Sequence, residues 1–105
     1  MITPPRPYAE YAVEVVTRSG RVIPIGFRMR SDLVEIMHAG RQLAVFDRDL
    51  LRGWLENPGD PVERDEITFT VDYSLDWAGG IAIVLKNESP WALSAADSMW
   101  LRRYV

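Results

Sequence analysis

From Tyr8 onward the chain alternates apolar and polar residues with a period of two. Tyr11, Val13 and Val15 share one face, and Glu10 and Glu14 the other. Ser19-Gly20 breaks the run with a turn signal. Ile23, Ile25, Phe27 and Met29 then form a second apolar face, with Arg28 and Arg30 opposite. Pro24 has no amide hydrogen to give to a ladder, so this strand is expected at a sheet edge, or Pro24 at a bulge. Ser31-Asp32 turns the chain, and Val34, Ile36 and His38 alternate with Leu33, Glu35 and Met37. Ala39-Gly40 turns it again before Leu43 and Val45 continue the pattern. Four short strands joined by tight turns predict an antiparallel meander.

The period changes at VFDRDLLRGWL. Asp47 suits an N-cap, because its carboxylate can accept from the first free helical N–H groups. Phe46 before the cap and Leu51 after it form a hydrophobic staple. Leu50, Leu51, Trp54 and Leu55 predict one buried face, and Arg48, Asp49, Arg52 and Glu56 a solvated one. Gly53 weakens a helix by about 1 kcal/mol relative to Ala. Its presence suggests a close approach to the sheet. Asn57-Pro58-Gly59 ends the helix, because the residue before proline avoids the α region. The helix therefore reads as a lid on the meander.

After a polar loop, GDPVERDE, alternation returns. Ile67, Phe69, Val71 and Tyr73 face one way, and Thr68, Thr70 and Asp72 the other. Residues 74–80 (SLDWAGG) read as a connection with a flexible Gly79-Gly80. Ile81 to Leu85 is apolar on both faces, which predicts a central strand. Asn87 to Pro90 turns. Ser94 caps a last helix with Asp97 as its capping-box partner, and Ala96, Met99, Trp100 and Tyr104 stand at helical spacing. Arg102 and Arg103 complement the negative end of that helix dipole. The plan is strands, helix, strands, helix: an α+β fold in which residues 1–7 (MITPPRP) are a loose lead-in and residues 8–105 a single domain.

Composition narrows the function. The chain of 105 residues has no cysteine, which excludes a disulfide framework and thiolate metal sites. MITPPRPYAE lacks the apolar core of a signal peptide, and no apolar run reaches the length of a membrane span, so the cytoplasm is the expected compartment. A net charge of -3 argues against nucleic acid as the main partner. The charge is uneven, +2 over residues 1–55 and -5 over residues 56–105, an asymmetry that can orient a protein partner or a second copy.

No catalytic constellation emerges. His38 is the one histidine, and neither a second His nor a Cys stands by as partner. Glu56, Asp60, Glu63, Asp65 and Glu66 lack the oxygen spacing and glycine hinge of a calcium loop. Gly79-Gly80 precedes a strand and no GK[ST] follows, so it is not a phosphate loop. No metal or cofactor is expected, and the chain does not read as an enzyme. Trp77, between Asp76 and Ala78, is the best candidate for an exposed aromatic anchor. Arg18, Arg21, Arg28 and Arg30 fall in one hairpin with Tyr8, Tyr11 and Phe27 near in sequence, which supplies a second reading as a binder of single-stranded nucleic acid. Tyr11 and Phe27, however, fall on apolar strand faces, which predicts burial.

Three segments stand in one order: VIPIGFRM, then VFDRDLLRGWL, then GIAIVL followed by a capped helix containing Leu101-Arg102. They resemble the second strand, the F-x-R-D-L-L-x-x-G-L helix start, and the closing strand and helix of the SsgA-like sporulation and cell-division proteins of filamentous bacteria. The helix start is carried by Phe46, Arg48, Asp49, Leu50, Leu51, Gly53 and Leu55, with Gly53 displaced by one so that Trp54 stands at the glycine position. The resemblance covers most of residues 13–105. It implies a fold like that of the Whirly proteins. It also implies a non-enzymatic protein, a homo-oligomer and often a trimer, that helps place or assemble the tubulin-like division machinery. No counterpart of the KGKAAL stretch of the single-strand-binding Whirly proteins is present. The leading expectation is a self-associating adaptor that binds another protein, with Pro24, Trp77, Arg28 and Arg30 as contact points; the alternative is a single-stranded nucleic-acid-binding protein of Whirly-like fold.

Overall fold

The computed structural model describes residues 9–72 and 80–105. Tyr8, Tyr73, Trp77, the lead-in and the 74–79 connection lie outside the described residues. Strands β1 (Ala9–Val16), β2 (Val22–Met29), β3 (Leu33–His38) and β4 (Arg41–Asp47) form one antiparallel sheet in sequential order. Helix α1 (Arg48–Glu56) follows directly. Strands β5 (Val62–Arg64), β6 (Ile67–Val71), β7 (Ile81–Leu85) and β8 (Trp91–Ala92) form a second antiparallel sheet, also in sequential order, and α2 (Ala95–Tyr104) closes the chain. The strand–helix–strand–helix plan of an α+β protein is thus present, and β7 is interior as its two apolar faces require. Two short strands were hidden in stretches that read as loop and turn: β5 inside GDPVERDE and β8 just after Pro90.

Positive φ marks the turns. Ala39 and Gly40 both take positive φ (49° and 75°), the backbone of the two-residue hairpin that matches strand twist. Asp65 (φ 50°) and Asn87 (φ 67°) turn the β5–β6 and β7–β8 hairpins.

Sheet 1 turns Val13, Val15, Ile23, Ile25, Phe27, Met29, Val34, Ile36 and Phe46 into the core. Sheet 2 contributes Ile67, Phe69, Ile81, Ile83 and Leu85 to the same core. Phe69 is its hub. Its ring centroid lies 6.3 Å from Phe27, 5.3 Å from Phe46 and 6.2 Å from Trp54, so one β6 side chain touches β2, β4 and α1. At the rim, Glu66 N–H donates to the Leu43 carbonyl at 3.3 Å, and Arg41 meets the Glu66 carboxylate at 2.6 Å.

Pro24 is not on an edge strand. β2 pairs with β1 on one side and β3 on the other. Proline is tolerated because the β2–β3 register covers only Gly26–Met29 against Val34–Met37. Pro24 stands opposite Glu14 in β1, with its missing N–H directed to the side that β3 has already left. There the Pro24 carbonyl accepts from His38 Nδ1 at 2.9 Å. A carbonyl can only accept, so this contact places the proton of neutral His38 on Nδ1.

Helix α1 is capped as its sequence predicts: Asp47 Oδ1 accepts from Leu50 N–H at 2.9 Å. Leu51, Trp54 and Leu55 are buried, and Trp54 Nε1–H donates to the Asp60 carbonyl at 2.8 Å. Two residues exchange their expected faces. Leu50 is 42 % exposed, whereas Arg48 is 1 % exposed. Spacing explains this, since Arg48, Leu51 and Leu55 stand at i, i+3 and i+7 on one stripe. Gly53 is exposed, and a Cβ added there meets nothing within 4 Å, so it does not serve a close approach to the sheet. Gly53→Ala should therefore stabilise the fold by about 0.5–1 kcal/mol, read as a higher urea midpoint at unchanged slope. A destabilised variant would show that Gly53 has a backbone role.

In α2, Ser94 Oγ accepts from Asp97 N–H at 3.0 Å, but Asp97 does not complete a capping box. Its carboxylate instead accepts from Tyr11 O–H at 2.6 Å. The buried side of α2 is Ser98 and Leu101, with Val105 just beyond it. Ala96 and Met99 face outward. Among the described residues no helix is long and apolar enough to cross a membrane.

Candidate protein-interaction surface

The outer face of sheet 1 follows from its register. Glu10, Arg28 and Glu35 stand in one row across β1, β2 and β3, and Ala12, Gly26 and Met37 in the next. Arg28 Nε lies 3.2 Å from Glu10 Oε1. Arg30, just past the end of β2, places Nε 3.1 Å from Glu35 Oε1. Opposite charges directly across strands contribute roughly 0.2–1 kcal/mol each. Ala12 and Gly26, the small members of that row, leave an open groove of about 480 Å³, lined by Glu10, Ala12, Pro24, Gly26, Arg28 and Met37 among others. Of the four expected contact residues, Pro24 and Arg28 meet in this groove, Arg30 sits beyond its end, and Trp77 lies outside the described residues. Arg28 and Arg30 are each matched by a carboxylate, so this surface carries no excess of positive charge.

A second surface lies on α2. Tyr11 stacks on Trp100 with centroids 4.5 Å apart, and Trp100 on Tyr104 at 4.8 Å. The Tyr11–Asp97 hydrogen bond, with partial burial and the nearby Asp97 charge, holds the Tyr11 phenol above its ordinary pKa. Beside this stack Met99 is 69 % exposed. Arg103 lies over the Tyr104 ring at 5.5 Å. Met99, Trp100, Arg103 and Tyr104 thus line one outward surface of a single helix. The spacing of Ala96, Met99, Trp100 and Tyr104 did signal a shared face. That spacing does not say which way the face points: Ser98, Leu101 and Val105 make a second stripe that is buried in the core, and Trp100 packs against its margin.

Arg48, Arg52 and Arg102 hold the two helices together. Arg48 donates to the carbonyls of Arg30 and Tyr104, and through Nε to Val105 at 3.3 Å. Arg52 Nη2 reaches the same Val105 oxygen at 2.8 Å. Arg102 Nε reaches the Leu55 carbonyl at 3.3 Å. These guanidinium groups are donors to backbone, tying the β2–β3 turn, α1 and α2 into one knot.

Among the described residues no three His, Cys, Asp or Glu side chains are placed to hold a metal ion. Of the acidic residues 56–66, Glu66 is bound to Arg41, whose hydrogen bond keeps the Glu66 carboxyl below the usual carboxylate range. The described surface offers an open groove, an aromatic stack and a strand edge. No protein-family model, curated protein or solved structure matches this chain.

Proposed function

We propose that the protein is a non-enzymatic, cytoplasmic protein–protein interaction module that self-associates, acting as an adaptor in bacterial cell division or sporulation. The observation that carries the interaction role is the outward surface of α2. Met, Trp, Tyr and Arg are the residues enriched at the centres of protein interfaces, and here the exposed Met99 and Arg103 lie beside the half-buried Trp100 and Tyr104 on one side of a helix. The biological process comes from the likeness of residues 13–105 to the SsgA-like proteins. Nucleic-acid binding draws less support, because Arg28 and Arg30 already pair with Glu10 and Glu35.

Met99→Glu tests this reading. At an exposed helix position the change should leave stability within about 0.5 kcal/mol of the parent. Pull-downs from the native host with both proteins should yield a partner that the parent retains and the variant loses. Binding of that purified partner should weaken at least tenfold, about 1.4 kcal/mol. Equal capture by both proteins would remove α2 as the contact surface, and no specific capture would remove the adaptor reading.

A further inference from the structure

The hydrogen-bond phase of β1 is fixed by two observations. Thr17 N–H donates to the Arg21 carbonyl at 2.9 Å, so the odd-numbered residues leading into that hairpin turn their backbone groups toward β2. Pro24, which has no N–H, stands opposite Glu14, the position where an antiparallel pair exchanges no bond. Alternation then directs the N–H and C=O groups of Ala12, Glu14 and Val16 away from β2. β1 is the first strand of its sheet, and no described strand pairs with that side.

The other three sheet edges are blunted. β5 has 3 residues and β8 has 2, too short to template a partner strand. β4 has an irregular register with β3 near Ile36/Met37, and its Leu43 carbonyl is occupied by Glu66 N–H. Among the described residues, β1 carries none of the protections that a strand's own sequence and register can supply. It is 8 residues long, contains no Pro or Lys, runs in unbroken register with β2, and points no charge inward.

We propose that β1 pairs antiparallel with β1 of a second copy, with Ala12 opposite Glu14 of that copy, joining the two meanders into one continuous sheet. The inference rests on the self-association reading above and names its surface and register. The register follows from charge. A shift by one residue would turn inward side chains outward. A shift by two in one direction sets Glu14 against Glu14, and in the other Glu10 against Glu14, and like charges directly opposite are destabilising. With Ala12 opposite Glu14, Val13 lies on the twofold axis. The four outward N–H and C=O groups of Ala12 and Glu14 then find partners in Glu14 and Ala12 of the second copy. The arrangement closes as a dimer, because each strand meets the same surface of the other.

The absence of native cysteine allows a direct test of register. Ala12→Cys and Glu14→Cys are made separately, both on the outer face and both exposed. In the proposed pairing, residues 12 and 14 of opposite copies have Cα atoms about 5.5 Å apart, within disulfide reach. Positions 12 and 12, or 14 and 14, are diagonal neighbours at roughly 7–8 Å. Mild oxidation of an equimolar mixture should therefore give several-fold more cross-linked dimer than either variant alone. Ala12→Pro removes an N–H that β2 does not use, and should sediment as a monomer with an unchanged far-UV spectrum. If the mixture cross-links no better than the single variants while the parent scatters light as a dimer, this surface is wrong and self-association stands. If the parent is a strict monomer at high concentration, both this proposal and the self-association reading are overturned.

Discussion

Arg48→Ala is expected to lower the thermal midpoint by on the order of 20 °C, the largest loss at any charged position in the chain. Arg48 is 1 % exposed and donates to the carbonyls of Arg30, Tyr104 and Val105. Truncation removes three charge-assisted hydrogen bonds and leaves a cavity. The Val105 oxygen keeps Arg52 as a donor, but the Arg30 and Tyr104 carbonyls lose this one. Losing these charge-assisted bonds together with the packing of a fully buried side chain is expected to cost roughly 3–5 kcal/mol. A domain of this size shifts by about 4–8 °C per kcal/mol. Arg48→Lys separates charge from geometry. Lysine keeps the positive charge but cannot spread donors over three carbonyls of separate elements, so it should recover less than half of the loss. Circular-dichroism melts of the two variants decide the matter. A shift below about 5 °C for Arg48→Ala would mean that the knot at the helix ends adds little.

Arg48 also shows where sequence reasoning reaches and where it stops. Strand positions were legible because one face of each sheet is buried and period two then separates inside from outside. Val13, Ile25, Phe27, Ile36 and Phe69 all went where alternation sent them. Both helix caps were legible because Asp47 and Ser94 act within three residues of themselves. Arg48 was misplaced because its charge outweighed its spacing. The stripe through Leu51 and Leu55 includes it, and burial became possible only because distant carbonyls converge there, a long-range fact that no local window contains. Pro24 failed for a related reason. An interior strand accepts proline where a neighbour ends early, and strand ends depend on the register of β3 with β4, which is irregular near Ile36/Met37. In α2 the sequence carries two apolar stripes. Which one faces in is decided by the packing of Leu101 and Val105, so the exposed candidate surface at Met99 and Trp100 could be found as a face but not assigned its direction.

Phe69→Ala should destabilise the fold by about 3–5 kcal/mol, comparable to the loss at Arg48 but by a different route. No polar group is stranded; the loss is burial, cavity and ring contacts. Phe69 is fully buried, and its ring meets Phe27, Phe46 and Trp54 from three elements that belong to the first half of the chain. Removing it empties the point where the second sheet enters the core. Phe69→Leu keeps much of the volume and should cost distinctly less, because the cavity is smaller, though the edge-on contact with Phe46 at 67° is lost as well. A double-mutant cycle with Phe46→Ala should return a coupling of about 0.5–1.5 kcal/mol. The shape of the transition carries as much information as its midpoint. If one core joins the two sheets, urea should unfold Phe69→Ala in a single step with the parent's slope, and tryptophan fluorescence should report the same midpoint as far-UV ellipticity. Two separated transitions would show that each sheet and its helix fold alone, with Phe69 serving as a latch between units rather than as the centre of one.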